Sequence, residues 1–148
     1  MILMSACLAG RNCKYNGGNN EISCLKKLCD EGKAVLVCPE VAGGLPVPRL
    51  SCEIRGNRVY NTAGEDVTEY FVTGAEKSLK TARENGCTLA VLKANSPSCG
   101  VGQIYDGTFS HTKIRGDGIF AALCRKEGIE CVTELEYLER MEKKNESL

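Results

Sequence analysis

Ala34-Val35-Leu36-Val37-Cys38 is apolar at every position and stops at a cysteine that opens a loop rich in proline and glycine. A strand with one wet face alternates apolar and polar residues. A run without alternation needs apolar neighbours on both faces, as in a parallel sheet covered by helices. Two other runs have the same form. Ile2-Leu3-Met4-Ser5-Ala6 leads into Cys7, and Leu89-Ala90-Val91-Leu92 is followed by the loop Asn95-Ser96-Pro97-Ser98-Cys99-Gly100. Ligands of open parallel sheets bind just beyond the carboxyl ends of the strands. If the three runs are neighbours, three thiols converge on one crevice, an arrangement suited to an iron–sulfur or zinc centre.

Helical segments separate these runs. One is expected from Glu21 to Glu31, stopped by Gly32. Asp66 caps a second that passes through Thr68 to Glu84 and closes at Asn85-Gly86, and a third starts near Gly118 and ends before Gly128. Leu135, Leu138 and Met141 recur at helical spacing between Glu134 and Lys144. Ser51 to Tyr60 reads as a β-hairpin turning at Arg55-Gly56-Asn57, with Glu53/Ile54 facing Arg58/Val59. The alternation predicts an α/β fold: one compact domain over residues 1–148, with a mostly parallel, Rossmann-like sheet flanked by helices and a small β-hairpin. Residues 134–148 are expected to be a C-terminal helix or tail of the same domain.

Composition narrows the partners. The chain of 148 residues has 19 acidic and 19 basic residues, so its formal charge of zero gives no bulk pull toward nucleic acid or anionic membrane. No stretch approaches the roughly 20 apolar residues of a spanning helix. No basic leader precedes the first apolar run, so a cytoplasmic protein with no membrane partner is expected.

Ten cysteines separate into two groups by position. Cys24, Cys29, Cys87, Cys124 and Cys131 lie within helix or strand patterns, where free cysteine acts as a small hydrophobe. Cys7, Cys13, Cys38, Cys52 and Cys99 stand in or beside the Gly/Pro-rich loops, and all four prolines fall in the loops that carry Cys38 and Cys99. Proline fixes φ and lowers the entropy lost on ordering, so these loops are built to hold a shape. The Cys7–Cys13 spacing is not a usual zinc spacing.

The loops also carry candidates for chemistry. Glu40 lies two residues from Cys38 and suits a general base, while Arg49 offers a fork of donors for an oxygen-rich substrate or for Glu40 itself. Ser96 and Ser98 flank Cys99 with hydroxyls able to donate to a thiolate or orient a water. Tyr105 and Phe109, around a turn at Asp106-Gly107, are able to stack on a planar ligand. Lys14 and Arg11 are available to balance negative charge. His111, the one histidine, is expected to be solvated, and Gly116-Asp117-Gly118 is only a weak phosphate-cradle signal.

Taken together, these segments resemble the thiouracil desulfidase family, long catalogued as a domain of unknown function. The matching stretches are Ser5-Ala6-Cys7-Leu8, Cys13-Lys14-Tyr15-Asn16-Gly17-Gly18, Cys38 through Arg49, Glu65-Asp66-Val67-Thr68, Gly74-Ala75, Ser96 through Gly100 and Ile104 through Phe109. The resemblance implies a 4Fe–4S cluster held by three cysteines, with one iron free for the substrate's sulfur. Carried onto this sequence, the metal ligands are Cys7, Cys38 and Cys99. The catalytic residues are Glu40 and Ser98, with Ser96 as substitute, and the expected substrate contacts are Arg49, Lys14 and Tyr105. Cys13 and Cys52 adjoin these motifs, and either is a candidate for the fourth site. Some relatives carry a second domain and act on thiouridine in tRNA, and no such domain is expected here. The expected partner is therefore a small thiolated nucleobase or nucleoside and not a nucleic acid.

The resulting expectation is an enzyme that removes sulfur from 2- or 4-thiouracil-type pyrimidines by non-redox hydrolysis. Its rivals are a sulfur or iron–sulfur carrier and a structural zinc module.

Overall fold

The computed structural model describes residues 1–146, so residues 147–148 of the expected C-terminal segment lie outside the described residues. Four strands, β1 (Ile2–Ser5), β2 (Ala34–Val37), β5 (Leu89–Leu92) and β8 (Glu130–Thr133), form a wholly parallel sheet in the order β2-β1-β5-β8. The register pairs Ser5 with Val37 and Met4 with both Leu36 and Val91. The three apolar runs are thus adjacent, and their carboxyl ends lie side by side.

Both faces of this sheet are covered. Leu3, Ala90, Leu92 and Cys131 project into one core with Ala75, Leu79, Phe120 and Cys124, which belong to α3 (Thr68–Glu84) and α4 (Ile119–Lys126). Met4, Val91 and Val132 alternate onto the other face. There they meet Leu25 of α1 (Ser23–Asp30) and Tyr137 of α5 (Glu134–Glu146). This two-sided burial is why the strand sequences show no alternation. The five cysteines assigned to packing lie in or against these cores, although Cys87 precedes β5 and does not start it. Among the described residues no helix is long and apolar enough to cross a membrane.

Two antiparallel hairpins flank the site end of the sheet. In β3 (Cys52–Arg55) and β4 (Arg58–Asn61), Ile54 pairs with Val59 and Arg55 with Arg58. The turn is therefore one residue tighter than expected, with Gly56 at φ 66, and Glu53 faces Tyr60. The second hairpin joins β6 (Gln103–Tyr105) to β7 (Lys113–Arg115) where only a turn is expected from the sequence. All three residues of β7 are exposed, so its sequence carries no pattern of burial to read.

The loop after β2 also differs from expectation, because it begins with a helical turn, α2 (Pro39–Ala42), with proline at its first position. A Cβ on Gly74 of α3 would collide with the Pro39 carbonyl, and one on Gly43 with the Tyr70 carbonyl. Glycine at both positions lets α2 lie backbone to backbone on α3.

Candidate active site

The strand order reverses direction at β1 and β5, where an open α/β sheet splits to leave a crevice. A cavity of about 400 Å³ opens there. Its lining includes Cys7, Cys38 and Cys99 from the ends of the three adjacent strands, together with Glu40, Ser96, Ser98, Arg49, Lys14 and Tyr105. Cys13 and Cys52 line it as well. Every cysteine outside the packing group thus faces one space.

Each loop is fixed by contacts of its own. The 3-10 turn Ala6–Ala9 carries Cys7, whose carbonyl accepts the Asn20 backbone N–H at 3.0 Å and whose Sγ accepts the Asn20 side-chain amide at 3.5 Å. Ser5 Oγ accepts the Lys93 N–H at 3.0 Å, tying the end of β1 to that of β5. Around Cys99, Ser96 Oγ accepts the N–H groups of Ser98 (3.1 Å) and Cys99 (3.0 Å). The carbonyls of Pro97 and Ser98 take the first amides of α4, from Ile119, Phe120 and Ala121. The helix start after Gly116-Asp117-Gly118 is thereby filled by protein, which removes the weak phosphate-cradle reading.

A chain of polar groups crosses the cavity wall. With two N–H groups on its oxygen, Ser96 donates its hydroxyl to Ser98 Oγ at 3.0 Å. Ser98 donates to Glu40 Oε2 at 3.0 Å. The other carboxylate oxygen, Oε1, accepts Arg49 Nε at 3.3 Å. Arg49 also donates to the Pro46 carbonyl at 3.2 Å and the Cys13 carbonyl at 2.9 Å. Its side chain is 5% exposed and that of Glu40 14%, so this ion pair is largely withdrawn from water. Arg49 serves Glu40, one of the two roles open to it in the sequence, and three of its five N–H groups are committed to protein.

Burial pushes the Cys7 thiol up, and pushes those of Cys99 and Cys52 up to about 12 and about 11. Cys38 differs: the neighbouring Cys13 thiol lowers it. Among the described residues, no three His, Cys, Asp or Glu side chains form a cage for a single metal ion. Thiols spread around the walls of a cavity suit a larger, multi-atom thiophilic group better than one tetrahedral ion.

Several lining residues carry no signal in the sequence. Lys93 reaches the cavity while paired with Glu134 at 3.2 Å, and Asn20 supports Cys7 across 13 positions of chain. His111 is exposed yet stands at the cavity with its ring edge-on to Tyr105, centroids 6.4 Å apart. Phe109 does not line the cavity, so of the two aromatics proposed for stacking only Tyr105 is present there. Glu53 accepts the N–H groups of Gly107 (3.0 Å) and Phe109 (3.1 Å), which holds this loop against β3.

Comparison with known proteins adds three findings. A family model described as 2-thiouracil desulfurase matches residues 2–136. The uncharacterized protein YbbK of Bacillus subtilis (strain 168) is 44% identical over 146 residues, spanning 92% of this chain and 97% of that one. The solved structure of a 4Fe–4S-dependent thiouracil desulfidase, TudS, superposes with a TM-score of 0.89 at 43% identity over 93% of each chain.

Proposed function

The chain belongs to the 2-thiouracil desulfurase family, and from that premise we propose that it removes sulfur from a thiolated pyrimidine by non-redox hydrolysis at a 4Fe–4S cluster. The observation that carries this reading is the convergence of Cys7, Cys38 and Cys99 on one cavity from three adjacent strand ends. These three would hold the cluster. When bound, the cluster supplies a Lewis-acidic iron able to take up a thiocarbonyl sulfur.

The chain's own residues do the rest. Glu40, held on one oxygen by Arg49, removes a proton from the water that adds to the thiocarbonyl carbon. Ser98 keeps the second oxygen aimed, and Ser96 holds Ser98 in place, so the carboxylate meets the water in a set orientation. Asn20, donating to Cys7, offsets negative charge on that thiolate. Lys14, half-buried at the cavity and with no carboxylate partner among the described residues, and the Tyr105 ring support binding of a flat ring bearing a carbonyl. Arg49 acts as a positioning residue.

The experiment is anaerobic purification, mixing with 2- or 4-thiouracil, and measurement of thiocarbonyl absorbance loss and sulfide release. Turnover is expected, and Glu40→Gln is expected to lower kcat by about 10²–10⁴-fold. A fully loaded protein that leaves both compounds intact contradicts the proposal.

A further inference from the structure

Glu40, Arg49, Ser96 and Ser98 bond one another along the cavity wall, Lys93 bonds Glu134, and Asn20 bonds Cys7. Asn95 makes no such bond. It is half-buried and lines the same cavity, yet its side-chain amide has no hydrogen-bond partner among the described residues. Withdrawing an amide from water costs free energy unless its donor and acceptor are paired. A ligand that supplies both partners accounts for an amide left open at a cavity.

The backbone on either side of Asn95 is fixed. Before it, Ser5 Oγ accepts the Lys93 N–H at 3.0 Å and Glu134 accepts the Ala94 N–H at 2.7 Å. After it, Ser96 Oγ holds the N–H groups of Ser98 and Cys99. Asn95 itself forms a parallel bridge with Ile104 of β6, the residue before Tyr105. Its φ of 67 lies in the left-handed region, which asparagine enters more readily than most residues. The amide is thus set in the part of the cavity that the Tyr105 ring also lines.

We propose that Asn95 is a specificity-determining residue whose amide reads the edge of the pyrimidine ring, Oδ1 accepting the N3–H and Nδ2 donating to the adjacent carbonyl. The inference rests on the thiolated pyrimidine assigned above. In 2-thiouracil and 4-thiouracil alike, N3–H lies between the thiocarbonyl and a carbonyl, so one amide serves both. N3 stays free when N1 carries a ribose, and base and nucleoside are equally readable at this edge. A substituent on N3 removes the donor and collides with the amide. Tyr105 covers a face of the ring while Asn95 fixes its rotation in the plane, which presents the thiocarbonyl carbon in one orientation.

The test uses the anaerobically loaded full-length protein and its Asn95→Gly and Asn95→Asp variants. Glycine removes the amide and suits the positive φ. Aspartate keeps the shape and an acceptor but offers the carbonyl no donor. Calorimetric titration with uracil and with its N3-methyl derivative reads the edge without turnover, and kcat/KM is measured for 2-thiouracil and its N3-methyl derivative. The wild type is expected to favour the unmethylated compound of each pair by about tenfold or more. Asn95→Gly is expected to lose that preference, through affinity and KM, while keeping its iron. Asn95→Asp is expected to bind uracil about tenfold more weakly, and carries the test should the glycine variant not fold. No preference in the wild type, a preference retained in Asn95→Gly, or an unchanged uracil affinity in Asn95→Asp each overturns the inference. A wild type that leaves 2-thiouracil intact overturns the desulfuration proposed above instead, and is told apart because the uracil titrations need no turnover.

Discussion

Arg49 joins two parts of the cavity that are distant in sequence: its guanidinium bonds Glu40 in the loop after β2 and the carbonyl of Cys13 in the loop after β1. A planar fork can satisfy these directions together, whereas a lysine ammonium cannot. Arg49→Lys is expected to lower thermal stability and also kcat, because Glu40 loses its fixed orientation; unchanged thermal denaturation and kinetics would contradict the assignment. The cysteines at the strand ends were legible because the end of an apolar run is a local feature of sequence. Glu40 and the two serines were legible through motifs. Asn20, Lys93 and His111 were not, since each reaches the cavity by a contact that local patterning does not encode. Arg49 was visible as a candidate, but its commitment to Glu40 depends on a fold around Pro46 and Pro48 that residue type alone leaves open.

The elements hold these residues through two devices that a sequence shows only partly. Gly74 sits mid-helix in α3, where glycine is disfavoured by about 1 kcal/mol relative to alanine, because α2 passes within backbone contact. Gly74→Ala is expected to destabilise the protein by about 1–3 kcal/mol, the usual range for overpacking, and to reduce bound iron by shifting Cys38. Chemical denaturation and iron analysis check both effects, and wild-type values in both would contradict the account. The N-cap of α3 is Val67 and not Asp66 as expected; from one residue further out, Asp66 accepts the Thr68 N–H at 3.0 Å and its hydroxyl at 2.6 Å, and pairs with Arg58 at 2.8 Å. Arg58, followed by the Thr68 contacts, holds its carboxyl down at about 2 against an ordinary 3.8. A depressed carboxyl stabilises the fold above its unfolded value and loses that contribution as pH falls through the folded one. Denaturation midpoints of wild type and Asp66→Asn should therefore differ modestly at about pH 5 and converge near pH 2; a constant gap would contradict this role of the Asp66 carboxylate. The helices and the first hairpin were legible from caps, spacing and turn residues. The turn α2 and the β6–β7 hairpin were not, because four- and three-residue elements hold no full period to read.

At the scale of the whole molecule, the site follows from strand order. Placing β1 between β2 and β5 sets Cys7 between Cys38 and Cys99, and reversal of the winding at that point opens the cavity they share. Unalternated runs established a sheet covered on both faces, and hence helices on either side. The order of the strands is a tertiary property, and only the expectation that the thiols converge pointed to it. Convergence is also what separates a cluster-binding site from ten unrelated cysteines. Iron and acid-labile sulfide, counted per chain after anaerobic reconstitution of the wild type and of the Cys7→Ser, Cys38→Ser and Cys99→Ser variants, test it most directly. The account predicts about four of each in the wild type and marked loss in all three variants. About one metal ion per wild-type chain, or full iron in any of the three variants, would contradict it.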